Sequence, residues 1–196
     1  PPPPPPPPPA FQAEDGIRDS VIGLVGSEMC IRDRRLARHV GSELAKYYVF
    51  SGVAISAEDA HALGIVNRLV APAEVDAAIK ELVEKGQPDK YRRREIPAKF
   101  KPLAAMGSAV NVSHLLAGRP PEGVDQALAA KTAKIVGNKA PLALKVADEI
   151  IDRQIDKPME EAVEIELGRL QEIFSTADAL EGLTSMGRKR PEYNGA

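Results

Sequence analysis

The stretch Phe50–Val70, FSGVAISAEDAHALGIVNRLV, brings turn, cap, helix and strand signals together without a gap. Ser56 is a preferred N-cap residue, and Asp59 three residues later completes a capping-box pattern. Gly64 suits the left-handed conformation that commonly ends a helix. The apolar residues that follow predict a short strand over Ile65–Val70. Because a helix this short is marginal alone, the unit must pack on a larger structure.

The composition is that of an ordinary globular protein. The 196 residues are 43% hydrophobic and 28% charged, with a net charge of -2, which fits one or two domains and argues against nucleic acid as a partner. No apolar run is long enough to cross a membrane, so no membrane partner is expected. The single cysteine, Cys30, excludes an internal disulfide framework and suits a reducing compartment. We therefore expect a cytoplasmic protein.

The first 34 residues have a different origin from the rest of the chain, on the evidence of their sequence. Residues 1–9 are all proline, QAEDGIRD (Gln12–Asp19) resembles the in-frame translation of a flow-cell primer for short-read DNA sequencing, and GLVGSEMCIRD (Gly23–Asp33) resembles the matching translated transposase adapter. Two such matches in the right order predict that residues 1–34 are adapter-derived and not native, and that they form no part of the native fold. Lacking a helix or strand period, they are predicted to be disordered. The alternative is a genuine N-terminal extension.

From Arg35 onward the pattern is mainly helical. The predicted helices are Arg35–Ser51, split at Gly41 with Ser42 capping its second piece; Val75 to Gly86; a short helix near Val110–Leu116; Asp125–Val136; one with Pro141 in its first turn; one opened by Pro158; and a last one capped by Ser175 or Thr176. The helix after Pro158 has an apolar stripe formed by Met159, Val163, Leu167, Leu170 and Phe174. Phe174 is expected in the core, whereas the stripe as a whole would be exposed if it is an intersubunit face.

The proline-rich stretch Gln87–Gly123 predicts an insertion or a long connection. It contains the basic run Lys90–Arg94, KYRRR. Such a run either binds phosphate or nucleic acid or forms a solvated loop.

Three motifs resemble those of the enoyl-CoA hydratase/isomerase (crotonase) family. Val49–Val70 follows the family's x-L-x-G-x-x-I-S-A-x-x-A-x-x-x-G-L-V-N-x-V-V pattern, and Lys139–Ala143 is similar to its N-P-P-L-A. Phe174–Pro191 is similar to F-x-T-x-D-x-x-E-G-x-x-A-F-x-E-K-R-x-P. The match begins at Arg35 and covers only the family's C-terminal portion.

The resemblance implies an α/β fold, a fragment of the crotonase-like β-β-α spiral whose C-terminal part is mostly α-helical with few short strands. It also implies an organisation of the chain into regions. These are 1–34, adapter-derived; 35–86, the C-terminal end of the crotonase core; 87–123, an insertion or linker; and 124–196, a helical region used for trimerisation. The complete parent would form a homo-trimer or a hexamer.

The same resemblance implies a chemistry that this chain does not carry. In the family, two backbone N–H groups stabilise an enolate, and two glutamates activate water and protonate the α-carbon. These groups lie upstream of the match at Arg35, so we predict no catalytic residue here and an inactive chain. The complete parent would add water to a 2-enoyl-CoA to give a 3-hydroxyacyl-CoA. An enoyl-CoA isomerase, another acyl-CoA lyase, and a non-enzymatic helical assembly or interaction module remain alternatives.

Lys189 is the site residue that the resemblance carries over. It aligns with the lysine of the E-K-R motif and would pair with a phosphate of coenzyme A. The alternative is a solvated lysine between Arg188 and Arg190. No cofactor is expected, because the substrate itself carries coenzyme A. No metal site is predicted, since the three histidines are far apart and lack ligand spacing.

Overall fold

The computed structural model describes residues 31–86, 95–185 and 188–196. All regular structure in these ranges is helical. The α-helices are α1 (Ile31–Val40), α2 (Ser42–Ser51), α3 (Ala57–Ala62), α4 (Val75–Lys85), α5 (Lys101–Met106), α6 (Ala109–Leu116), α7 (Gln126–Val136), α8 (Pro141–Gln154), α9 (Met159–Phe174) and α10 (Ala177–Ser185). Two 3₁₀ turns, Pro72–Glu74 and Ala98–Phe100, precede α4 and α5.

Helices α1 and α2 are separated at Gly41, as the sequence predicts. Gly41 has φ 86° and serves as the N-cap of α2 without a side-chain hydrogen bond. The prediction that Ser42 caps α2 is wrong, because Ser42 is already the first helical residue. Helix α1 begins at Ile31, so residues 31–34 are helical and the disorder predicted as far as Arg34 is corrected there. Extending a formed helix by one turn costs far less than starting one. Residues 1–30 lie outside the described ranges.

The main core is built around α2. Eight of its ten residues are buried. The helix contacts α1, α5, α7 and α8, which surround it. The largest fully buried side chains of this cluster are Phe50, Leu44, Met106, Ile151, Val40, Val112 and Val136. Burial on nearly all sides explains why α2 carries no clear apolar stripe.

A glycine fixes the distance between α2 and α5. A Cβ atom placed on Gly107 would lie 1.8 Å from the backbone carbonyl oxygen of Glu43. No real Cβ contact is that short, so any side chain at this position would force the two helices apart. Gly107 therefore permits the close packing on which the main core depends.

The helix within the opening stretch forms as predicted. Ser56 Oγ accepts a hydrogen bond from the Asp59 amide at 3.1 Å and caps α3. Gly64 follows the helix with φ 74°, in the left-handed region. The Asp59 carboxylate contacts Lys99 Nζ at 2.5 Å, and so ties α3 to the turn before α5.

The predicted strand over Ile65–Val70 is wrong. The amides of Ile65 and Val66 both donate to the carbonyl oxygen of Ala60, at 2.9 and 3.2 Å, so the chain turns back over α3. A strand needs a neighbour to pair its N–H and C=O groups, and residues 31–86, 95–185 and 188–196 contain no strand. The α/β fold class is thus corrected to all-helical for the described part of the chain, while its mostly helical C-terminal part is confirmed.

Residues 95–123 pack into the main core. The predicted short helix is present as α6, but α5 was not predicted. Phe100, Met106 and Leu115 from this region are all buried in the cluster around α2. The basic run Lys90–Arg94 lies outside the described residues.

The helices predicted in the C-terminal half are present, with starts close to the predicted residues. Asp125 caps α7 by accepting the Leu128 amide at 2.8 Å. Pro141 is the first residue of α8, and Pro158 directly precedes α9. Of the two candidate caps for α10, Thr176 is the one whose Oγ1 accepts the Ala179 amide, at 3.0 Å.

Candidate functional site

Lys189 lies in the C-terminal tail, four residues beyond the end of α10. Its backbone amide donates to the carbonyl oxygen of Ser185, the last residue of α10, at 3.1 Å. Its Nζ lies 2.8 Å from Glu181 Oε1, and its side chain is 62% exposed. Lys189, the residue predicted to contact phosphate, is therefore an accessible cation that already has an intramolecular partner.

Glu181 is the centre of this arrangement. Its Oε1 accepts hydrogen bonds from Lys189 Nζ, from Ser185 Oγ at 2.9 Å and from the Glu192 amide at 3.3 Å. These bonds, the one from Lys189 first, lower the pKa of the Glu181 carboxyl. The hydrogen bond with Glu181 in turn raises the pKa of Lys189, so both groups are ionised at neutral pH.

Asp178, one turn earlier on α10, holds the end of the tail. Its carboxylate is buried and accepts the amides of Asn194 at 2.8 Å and Gly195 at 3.0 Å. Its own amide donates to the carbonyl oxygen of Ala196 at 3.1 Å. Neither Asp178 nor Glu181 was predicted from the sequence as part of a site. Their T-x-D-x-x-E spacing is visible, but the backbone amides that they bind have no sequence signature.

The tail also contacts the surface of α8. Tyr193 packs against a second apolar cluster formed by Ala140, Ala143, Val146, Ile150 and Ile173. Burial, and then the charges of Asp178 and Glu181, raise the pKa of Tyr193. Arg190 donates to the Asn138 side-chain oxygen in the loop before α8. The tail is thus attached at several points besides Lys189.

The chemistry available here is anion binding. Arg188, Lys189 and Arg190 are consecutive and exposed. Charge-assisted hydrogen bonds from such groups suit phosphate oxygens. In the part of the chain that the structure describes, no three His, Cys, Asp or Glu side chains are placed to hold a metal ion.

Two open clefts lie elsewhere on the surface, and Lys189 lines neither of them. One, of about 500 Å³, is lined by Glu43, Lys101 and Asn111 among others. The Asn111 amide there binds backbone groups of residues 105 and 122, which is a structural role. The other, of about 490 Å³, is lined by His114 and Arg119 among others.

Lys46 is a buried cation that joins α2 to two carboxylates of α8. Its Nζ lies 2.7 Å from both Asp148 and Asp152, and its side chain is 4% exposed. Lys46 was not predicted as a charged contact, because it lies on a helix without a clear polar face. Both of its carboxylate partners come from α8, so these ion pairs join two helices of the core.

The apolar stripe of α9 is largely exposed. Met159, Leu167 and Phe174 are each more than 40% exposed, because α9 packs through Ala162 and Ile173 on a different face. The prediction that Phe174 belongs to the core is wrong, since its side chain is 54% exposed. The expectation that the stripe itself is exposed agrees with the structure.

Comparison with known proteins gives two curated relatives. The short-chain-enoyl-CoA hydratase of Clostridium acetobutylicum is 25% identical over 157 residues, which cover 80% of this chain and 41% of that protein. The probable enoyl-CoA hydratase 2, mitochondrial, of Arabidopsis thaliana is 38% identical over 68 residues, covering 34% of this chain and 23% of that protein. The chain is thus similar to enoyl-CoA hydratases over part of their length. No protein-family model and no solved structure matches it.

The resemblance seen in the sequence is therefore confirmed as a partial similarity to enoyl-CoA hydratases. The chain spans less than half the length of these curated relatives. The all-helical structure is consistent with the helical C-terminal region of a crotonase. None of the helices in the described ranges is long and apolar enough to cross a membrane. The adapter origin of residues 1–34, the domain boundaries and the cytoplasmic location stay predictions.

Proposed function

We propose that this chain carries the helical C-terminal portion of an enoyl-CoA hydratase, and that the complete parent adds water to a 2-enoyl-CoA to give a 3-hydroxyacyl-CoA. The observation that carries the proposal is the similarity to an enoyl-CoA hydratase over 80% of the chain but only 41% of that relative. An enoyl-CoA isomerase or another acyl-CoA lyase is the neighbouring alternative. The product formed by the parent from a 2-enoyl-CoA separates the three.

The 196-residue chain itself is expected to be inactive. In crotonases the oxyanion-binding amides and the two glutamates lie upstream of the region that matches from Arg35 onward. The carboxylates described at the candidate site have structural partners, because Asp178 and Glu181 bind the tail. Asp148 and Asp152 pair with the buried Lys46. These contacts support a part in folding for these four groups and give none of them a part in hydration.

Lys189 is proposed to contact a phosphate of coenzyme A in the complete parent. The support is its exposure, its positive charge and its position between two further exposed cations, Arg188 and Arg190. A phosphate monoester carries more negative charge than a carboxylate and offers three acceptor oxygens, which suits such a cluster.

The test of the parent's function begins with the genomic DNA upstream of the Arg35 codon. The proposal expects an unbroken reading frame that encodes the oxyanion turns and two glutamates of a crotonase, and a product that hydrates crotonyl-CoA. Codons for the present residues 1–34 at that place would contradict the adapter interpretation. A frame without the two glutamates would contradict the hydratase assignment.

A second proposal is that the exposed stripe of α9 is an intersubunit face in the parent's homo-trimer or hexamer. The exposure of Met159, Leu167 and Phe174 favours it, because apolar groups grouped on one helix face commonly mark interaction surfaces. Leu167→Glu is expected to reduce the parent to smaller species in sedimentation. Glu164→Gln, an exposed change on the same helix, is the control and should leave the assembly intact.

A further inference from the structure

Lys189, the cation proposed to contact phosphate, already forms an ion pair in this structure. Lys189 Nζ is bound to Glu181 Oε1 at 2.8 Å, and the exposed part of the lysine faces solvent. A phosphate that approaches Lys189 must therefore either share the ammonium with a carboxylate or displace it. Because two anions in contact repel each other, sharing is the less favourable arrangement.

We propose that the Glu181 carboxylate competes with phosphate for Lys189. It neutralises the lysine until a phosphate monoester displaces the carboxylate. This proposal rests on the phosphate contact of Lys189 given under the proposed function. It assigns Glu181 a role in setting affinity, in addition to its bonds with the tail. Glu181 is a positioning residue in this sense, since it acts through Lys189 and does not touch the ligand.

The exchange can occur without releasing the tail. Asp178 holds the backbone at Asn194 and Gly195, and Arg190 is bound to Asn138 across the loop before α8. None of these contacts involves the Lys189 side chain. The lysine side chain can therefore turn away from Glu181 while the tail beyond it stays in place.

Glu181 also stays hydrogen-bonded when Lys189 leaves. Its Oε1 keeps the Ser185 hydroxyl and the Glu192 amide. A carboxylate that keeps two donors and has access to water carries no large desolvation penalty. The Lys189 ammonium has three donors and turns them to the phosphate oxygens, so both groups stay satisfied in the exchanged state.

The competition is expected to be modest, because exposed ion pairs are weak and screened by salt. Its removal should raise the affinity for a phosphate monoester by about two- to fivefold at low ionic strength, the range that an exposed pair is typically worth. The ligand chemistry is a terminal phosphate monoester, which coenzyme A carries on its ribose and which free inorganic phosphate shares. The experiment below separates these sources.

The test measures binding to the full chain by calorimetry at low ionic strength. The probes are coenzyme A, coenzyme A without its ribose phosphate, and inorganic phosphate. Glu181→Gln keeps the shape and an acceptor oxygen but removes the charge. It should tighten coenzyme A binding about two- to fivefold, with a smaller gain at 0.5 M salt and none for the probe that lacks the ribose phosphate. An equal gain for inorganic phosphate alone would show a site for free phosphate and would overturn the coenzyme A assignment.

Two further variants separate the competition by Glu181 (the gate) from the binding of phosphate by Lys189 (the contact). Lys189→Gln should weaken coenzyme A binding, and Glu181→Gln combined with Lys189→Gln should bind as weakly as Lys189→Gln alone. Weaker binding by Lys189→Gln with no gain from Glu181→Gln would overturn the gate and leave the contact standing. Unchanged binding by Lys189→Gln would overturn the contact, and with it the gate. The control Glu192→Gln removes a nearby tail charge and should give a smaller gain than Glu181→Gln.

An independent readout does not need a ligand. Nuclear magnetic resonance of the side-chain carboxyls follows the titration of Glu181 in the wild type and in Lys189→Gln. Because the bond from Lys189 is the largest cause of the lowered pKa, the variant should titrate at higher pH. An unchanged titration would show that the pair does not form in solution and would overturn the gate whatever the binding data show.

Discussion

Helices α2 and α4 are nearly equal in length but have opposite surroundings. Eight of the ten residues of α2 are buried, whereas Ala78 is the one buried residue among the eleven of α4. Helix α4 has the clearer apolar stripe, yet its Ile79 and Val83 are exposed, Val83 by 80%. The comparison teaches that a stripe with helical spacing predicts a helix and does not predict that anything covers it.

Helix α9 repeats the lesson of α4 in the C-terminal half. Three of its sixteen residues, Ala162, Glu166 and Ile173, are buried. The residues of its apolar stripe lie on a different face. The described part of the molecule thus has a core region around α2, and two helices, α4 and α9, whose apolar stripes are exposed. Matched substitutions in the two kinds of region test this division.

The largest contrast is expected between two phenylalanines. Phe50→Ala, in the core region, should lower the free energy of unfolding by about 3–5 kcal/mol, because it removes a ring that is 1% exposed and leaves a cavity. Phe174→Ala, on α9, should lower it by less than about 1 kcal/mol, since its ring is half in water. Urea unfolding followed by circular dichroism measures both. Equal losses would show that Phe174 is covered in solution and would contradict the division.

Two glycines give the next contrast. Gly107→Ala should cost about 3 kcal/mol, at the upper end for overpacking, because its Cβ would meet the Glu43 carbonyl oxygen. Gly168→Ala, on α9, has open space around it and should stabilise the protein by up to about 1 kcal/mol through helix propensity. The same urea experiment applies. A neutral Gly107→Ala would mean that α2 and α5 are farther apart than described.

The ion pairs should follow the same order. Lys46→Met should cost about 2 kcal/mol, because it removes a buried cation and leaves the partly buried Asp148 and the exposed Asp152 close together without it. Arg68→Met breaks an exposed pair with Glu81 on α4 and should have an effect close to zero. Thermal unfolding at two salt concentrations compares them. A loss for Arg68→Met as large as that for Lys46→Met would sink the argument from burial.

The last contrast appears only at alkaline pH and is absent near neutrality. Burial, and then the charges of Asp59 and Tyr47, raise the pKa of Tyr48 to about 12. An unfolded tyrosine titrates near 10, so the stabilisation is complete below about pH 10 and is lost as pH rises toward 12. Tyr48→Phe should remove this part of the alkaline loss. Parallel pH curves for the wild type and Tyr48→Phe would show that Tyr48 is in water.

Local features of the fold could be predicted from the sequence because their causes are local. Ser56 caps α3 through the amide of Asp59, three residues away, and Pro141 fixes the start of α8 by its own ring. The strand at Ile65–Val70 was wrong because a strand depends on a distant partner. Helix α5 was missed because its six residues are too short to show a period.

The candidate site divides in the same way. Lys189 could be found from the resemblance, because it aligns with the lysine of the E-K-R motif. Its partner Glu181 could not be singled out, because the bond depends on how the tail folds back over α10. Asp178 was missed for the same reason, since its carboxylate binds backbone amides of the tail. Tertiary contacts with the backbone leave no pattern in side-chain order.

The central proposal is that this chain carries the helical C-terminal portion of an enoyl-CoA hydratase and lacks the family's catalytic groups. Crotonyl-CoA hydration by the full 196-residue chain tests it most directly, with circular dichroism of the same sample to establish that the helices are formed. The account predicts a folded chain whose rate does not exceed the uncatalysed reaction. Hydration that rises in proportion to the chain's concentration would place catalytic groups within these residues and would contradict the account.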